Sequence, residues 1–118
     1  MATFRTRINK IANNKGKVIL ANDYSNSTRN LEAKTIKNIK TLNKFLCGIK
    51  FNFHLLLPLG FDQISKINKL AHKYDLQTIA DIKLNDIGNT NKITLENLWK
   101  AGFDAVIVNP IMGSNALK

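Results

Sequence analysis

Three ionisable residues spaced Asp81-x-Lys83-x-x-Asp86 stand in the stretch Ile79-Ala80-Asp81-Ile82-Lys83-Leu84-Asn85-Asp86-Ile87-Gly88-Asn89-Thr90. A carboxylate and an ammonium held together away from water can steady developing charge and move a proton, so the pattern has catalytic potential. Side chains on a strand alternate between faces, which places Asp81 and Lys83 on one side. Asp86 falls past the expected strand end, where a loop swings it towards the pair or away. Apolar Ile79 and Ile82 flank the charges and imply a buried strand end, where ionised groups require partners or a purpose.

The rest of the chain supplies elements to position such a group. Phe4 to Asn14 has Phe4, Ile8 and Ile11 at helical spacing. Lys17 to Asp23 holds a compact apolar run and ends in an acid, the pattern of a buried strand with Asp23 at its C-terminal end. Ser25-Asn26-Ser27-Thr28 offers N-cap candidates for a helix carrying Leu31, Thr35, Ile36, Ile39, Leu42 and Leu46, running to about Phe45. Gly48 to Phe53 reads as a second strand with Lys50 inside it, and His54 to Gly60 as a loop. A lysine among apolar neighbours either needs a partner or snorkels from an edge strand. Phe61, Ile64, Ile67, Leu70 and Ala71 mark a helix closing near Tyr74, and Gln77 to Lys83 a third strand. Ile93, Leu95, Leu98 and Trp99 mark a helix ending at Gly102. Asp104 to Pro110 is a fourth strand, and Gly113 to Ala116 opens a further helix. Strand alternates with helix four times, which predicts an α/β fold with a parallel sheet. Asp23, Lys50, Asp81, Lys83 and Asn109 all fall at or near strand C-terminal ends, where parallel α/β folds build their sites.

Composition narrows the class. The 118 residues fit one domain, and 44% apolar content supplies a core. The basic N-terminus has no apolar run behind it, and Leu55-Leu56-Leu57-Pro58-Leu59 is too short to span a bilayer. A lone cysteine, Cys47, excludes an internal disulfide and fits the reducing cytoplasm. The 18 Lys+Arg against 8 Asp+Glu are spread along a chain also rich in Asn and Ile, without a basic-aromatic cluster, so nucleic acid is not the expected ligand. An anionic small molecule or an acidic partner accounts for the excess equally well. His54 and His72 lack metal-ligand spacing and read as surface or loop residues. Cys47 reads as a packing residue, and Trp99 as core or interface packing.

Asp81-Ile82-Lys83-Leu84-Asn85-Asp86-Ile87 resembles the Asp-x-Lys-x-x-Asp-Ile signature of the orotidine 5′-monophosphate decarboxylase family. Leu20 to Asp23 is similar to that family's first strand with its Asp, Gly48-Ile49-Lys50 to its second strand with its Lys, and Ala101 to Val108 to its fourth strand. The resemblance covers nearly the whole chain, and Lys50 and Thr90 add to its specificity. It implies half of a TIM (β/α)8 barrel: residues 1–118 as an N-terminal (β/α)4 half-barrel, either the subunit of a split enzyme, completed by a second polypeptide carrying strands five to eight, or a degraded or truncated fragment, of which the split enzyme is the preferred reading. A full barrel takes eight such units in about 250 residues. The pyrimidine-contacting loop and the phosphate-gripping groups of the family's second half would come from that partner.

The resemblance further implies conversion of orotidine 5′-monophosphate (OMP) to UMP and CO2 without metal, flavin or other cofactor. Lys83 would protonate carbon 6 of the pyrimidine, and Asp81 would hold Lys83 charged beside the substrate carboxylate. Lys50 and Asp23 would extend the charge row and bind ribose hydroxyls. Asp86 and Thr90, with Ile87 between them, would reach across a dimer interface into the neighbouring site. The other readings are an ion-pair network that only holds the strand ends, a Mg2+-dependent sugar-phosphate decarboxylase or aldolase of the same superfamily, and a non-catalytic half-barrel binding module.

Overall fold

Four short apolar runs form strands β1 (Ile19–Asn22), β2 (Gly48–Asn52), β3 (Gln77–Leu84) and β4 (Ala105–Val108) in the computed structural model, which describes residues 1–25 and 27–117. The strands pair in the order β1-β2-β3-β4, every neighbour parallel. The helices are α1 (Phe4–Lys15), α2 (Leu31–Leu42), α3 (Phe53–Leu56), α4 (Phe61–Lys73), α5 (Gly88–Lys100) and α6 (Ser114–Leu117). Parallel neighbours cannot be joined by hairpins, and α2, α4 and α5 lie in the three crossovers. The result is four consecutive β-strand units of the barrel type expected from the sequence. No helix among the described residues is long and apolar enough to cross a membrane.

The crossovers cover one face of the sheet. Ile49 and Phe51 of β2 and Ala80 of β3 pack with Ile39 of α2, Ile67 and Ala71 of α4, and Phe103. Phe51 and Phe103 meet edge to face, centroids 5.9 Å apart. Each large side chain buried here contributes roughly 1.5–3 kcal/mol. Cys47 is buried beside them with its thiol 3.4 Å from the Val18 carbonyl, a packing role as expected. Alternation then sends Lys50, Ile79 and Asp81 to the opposite face, with Ile19 and Ile107 exposed there. Among the described residues the crossover helices of the core cluster leave that face uncovered.

Helix α1 lies at the N-terminal end of the strands. Thr3 caps it, accepting from the Thr6 N–H at 3.2 Å. Gly48 permits its close approach, since a Cβ there would lie 3.0 Å from the Gln77 carbonyl and 3.7 Å from Ile8 Cδ1. Arg7 donates to Gln77 Oε1 at 2.8 Å and pairs with Asp104 at 3.3 Å. Asp104 also accepts from the Thr78 N–H at 2.8 Å and from His72 Nε2 at 2.7 Å. Burial pushes its carboxyl pKa up, but His72, the Thr78 N–H and Arg7 outweigh that and hold it below the usual value. His72, expected as a surface or loop residue, is thus part of the network tying α4 to β4. Replacing Asp104 by alanine strands the Thr78 N–H and is expected to cost about 1–3 kcal/mol at neutral pH, read by urea unfolding. Because the folded pKa is depressed, this contribution is present above the unfolded value and fades as pH falls through the folded one.

Several local expectations change. The Ser25–Thr28 segment does not cap α2; its N-cap is Asn30, at φ 57° and without a side-chain bond. Ser25 Oγ instead bonds Ser27 and Thr28 at 2.9 and 3.1 Å, and Asn26 lies outside the described residues. Strand β2 stops at Asn52 because its side chain accepts from the Leu55 N–H at 2.9 Å, starting α3 inside the expected loop. Helix α5 begins at Gly88, earlier than its apolar stripe. Trp99 is 46% exposed and lies outside the core cluster of the described residues, so of its two expected roles core packing does not hold.

Candidate active site

The chemistry-bearing residues collect at the C-terminal ends of β1, β2 and β3. Asp23 follows β1, and Lys50 projects from β2 onto the uncovered face. Lys50 Nζ lies 2.9 Å from Asp81 Oδ2 and 3.5 Å from Asp23 Oδ1. On the other side, Lys83 Nζ lies 2.9 Å from Asp81 Oδ1. Asp81 therefore holds one ammonium on each carboxylate oxygen while its side chain is only 8% exposed. Hydrogen bonds from Lys50 and then Lys83 outweigh desolvation and lower its pKa. The bond to Asp81 correspondingly raises that of Lys50, against the pull of burial. Both ions are held in their charged forms.

Simple alternation does not place Lys83. Asp81 pairs with Ile107 and Leu84 with Val108, so Ile82 and Lys83 bulge from the β3–β4 ladder. Lys83 sits at φ 48°, a left-handed conformation costing a side-chain-bearing residue about 1–2 kcal/mol. The bulge breaks the two-residue rule, but it returns the ammonium to Asp81 and leaves Lys83 70% exposed at the strand end. The cleft here, about 430 Å³, is lined by Asp23, Lys50, Asn52, Phe53, His54, Asp81, Ile82 and Lys83.

The second half of the motif stands apart. Asp86, Ile87 and Thr90 are exposed. Among the described residues Asp86 makes no ion pair, so the expected charge alternation stops at Lys83. Its Oδ1 instead accepts from the Ile87 N–H at 2.8 Å. Asn109 does not join the cleft either: its side chain accepts from the Ile111 N–H at 3.1 Å, capping a short turn.

Other polar residues at the mouth escaped sequence reasoning. Asn22, fully buried at the end of β1, donates to Thr35 Oγ1 at 2.9 Å and accepts from Asn38 at 2.8 Å. Asn38 also donates to the Tyr24 hydroxyl at 2.8 Å, so both neighbours of Asp23 are fastened to α2. Asn52 and His54 line the cleft, 3.3 Å apart at Nδ2 and Nδ1. An amide ending an apolar run was the signal available for Asn22; the turn at Asn52 concealed the other two.

The chain that carries this strand-end carboxylate has relatives among known proteins. The model of the orotidine 5′-phosphate decarboxylase / HUMPS family matches residues 16–118. The chain belongs to that family. Over 87 residues it is 34% identical to the orotidine 5′-phosphate decarboxylase of Pyrococcus abyssi, a match spanning 74% of this chain and 40% of that protein. The Methanosarcina mazei enzyme of the same name is 36% identical over 84 residues, 71% of this chain and 36% of its own length. The crystal structure of the Pyrococcus horikoshii decarboxylase superimposes with a TM-score of 0.69 at 32% identity, over 84% of this chain and 44% of the other. Leishmania donovani OMP decarboxylase shares the fold, TM-score 0.83 at 17% identity, over 98% and 48%. The chain thus spans less than half the length of these family members, and its four strands form half of a barrel of their type.

Proposed function

We propose that residues 1–118 are the N-terminal (β/α)4 half of an OMP decarboxylase acting in pyrimidine synthesis in the cytoplasm, with strands five to eight supplied by a partner half. The observation that carries this reading is the Asp81 carboxylate held between Lys50 and Lys83 at 2.9 Å each. The substrate carboxylate would sit against this row. As its bond to carbon 6 breaks and CO2 leaves, the electron pair left on carbon 6 is stabilised by the Lys83 ammonium and then takes its proton. Asp81 aims Lys83 through their 2.9 Å ion pair, and repels the substrate carboxylate more than the departing CO2. Lys50 holds the second oxygen of Asp81, and with Asp23 reaches the ribose hydroxyls.

Asp86, Ile87 and Thr90 project from the site, which favours a role in a neighbouring one within a dimer of heterodimers. The exposed apolar side chains of the sheet's inner face support a partner half, which would bring the phosphate grip. The Mg2+-dependent alternative requires carboxylates free to bind a cation, whereas Asp81 is occupied by two ammoniums.

Co-purification of the tagged chain with its partner, followed by an assay of OMP loss, tests the proposal. The chain alone should be inactive, and the complex should consume OMP equally well with and without EDTA. A complete barrel without turnover would sink the reading, and turnover of a sugar phosphate abolished by EDTA would favour the alternative.

A further inference from the structure

The Asp86 loop leaves β3 after an irregular bulge and enters α5 at Ile87, an N-cap with no side-chain bond to the helix. What fastens it is Asn91, in the first turn of α5 and 3% exposed. Asn91 Oδ1 accepts from the Asp86 N–H at 3.1 Å, and Asn91 Nδ2 donates to the Asp86 carbonyl at 2.8 Å. One carboxamide thus grips both backbone polar groups of one residue, as a neighbouring strand would. The same Nδ2 lies 3.1 Å from Met112 Sδ, which ties the loop after β3 to the turn after β4. With its backbone pinned and Oδ1 bonded to the Ile87 N–H, Asp86 has its outer oxygen, Oδ2, without a hydrogen-bond partner among the described residues. A buried amide whose acceptor oxygen and shortest donor bond both go to the backbone of one exposed aspartate is a device for aiming that aspartate.

We infer that Asn91 is a positioning residue of the site: it touches no substrate and acts by setting where the Asp86 carboxylate stands. This rests on the decarboxylase reading and assigns the loop's precision to a residue outside the charge row. A structural amide would also be buried and bonded, so the deciding measurement must separate aim from stability. In the assembled enzyme, Asn91→Ala should lower kcat about 10²-fold, the scale of an ångström's misplacement of a reacting group. Asn91→Asp, which keeps the acceptor for the Asp86 N–H and loses the donor to its carbonyl, should fall between wild type and alanine, and it serves if the alanine variant does not fold.

The Asp86→Asn variant supplies the cross-check. If Asn91 acts through Asp86, adding Asn91→Ala to Asp86→Asn lowers kcat no further, while the losses in Tm still add. Losses in kcat that multiply, or an Asn91→Ala variant with reduced Tm and unchanged kcat, overturn the inference. A second readout needs no turnover. In the chain itself the Asp86 amide order parameter should drop from about 0.85 to below about 0.6 in Asn91→Ala, and an unchanged value overturns the clamp. Failure of the wild-type complex to consume OMP is a different result, visible before any variant is made. It removes the decarboxylase reading and the catalytic role of Asn91 with it, and leaves the order parameter to decide the clamp.

Discussion

Replacing Lys83 with alanine should lower turnover of the assembled enzyme by about 10⁴-fold or more, since it removes a proton donor worth roughly 10²–10⁴ and a charge worth roughly 10²–10³. The fold should hardly notice. The Lys83 side chain is 70% exposed, and Asp81 keeps its bond to Lys50 when Lys83 is gone. A pair with so exposed a partner is worth at most about 1 kcal/mol. Alanine also keeps the left-handed strain at φ 48°, whereas glycine relieves it and should gain about 1 kcal/mol. Urea unfolding of the alanine and glycine variants beside single-turnover assays separates the two effects. If both variants retain wild-type kcat and lose stability instead, the charge row is an ion-pair network holding strand ends.

What the sequence made legible follows the physics of each level. The strands were readable because each carries a short apolar run, and their parallel order followed from alternation with helices. Asp23, Lys50 and Asp81 were readable because an ionised side chain ending such a run is costly unless paired. Lys83 was placed beside Asp81 for the wrong local reason. Alternation presumes a regular ladder, and the bulge at Ile82 and Lys83 arises from β4 pairing, which the motif does not encode. Asn91, Asn22 and Asn38 were hidden by composition, because in a chain this rich in asparagine no single one stands out. Their importance lies in hydrogen bonds to backbone or to distant residues, fixed only when helix and strand meet. The His72–Asp104–Arg7 network spans three elements and was invisible for the same reason.

Asp81→Asn is the sharper probe of whether the row is built for chemistry, because it leaves both lysines and removes only the charge between them. An amide has one acceptor oxygen, so one ammonium must let go, and Lys83 loses the group that aims it. Turnover should fall by about 10²–10³-fold on electrostatic grounds alone. Stability at neutral pH should fall by about 1–3 kcal/mol, because Lys50, 22% exposed, exchanges a carboxylate for a neutral acceptor but can still reach Asp23 and water. The pH dependence of that gap fixes its origin. The folded pKa of Asp81 is depressed, so its contribution is complete above the unfolded value near 3.9 and is lost only as pH falls through the lower folded one. The folded pKa of Lys50 is raised, so its share is complete below the unfolded value near 10.4 and is lost as pH rises through the higher folded one. Between about pH 5 and pH 9 the difference in unfolding free energy between wild type and Asp81→Asn should therefore be flat. A gap that closes between about pH 5 and pH 7 would mean that burial outweighs the two lysines and Asp81 is protonated in the working range. Asp81 would then carry no charge with which to aim Lys83 or to repel the substrate carboxylate, and the electrostatic part of the reading would fall.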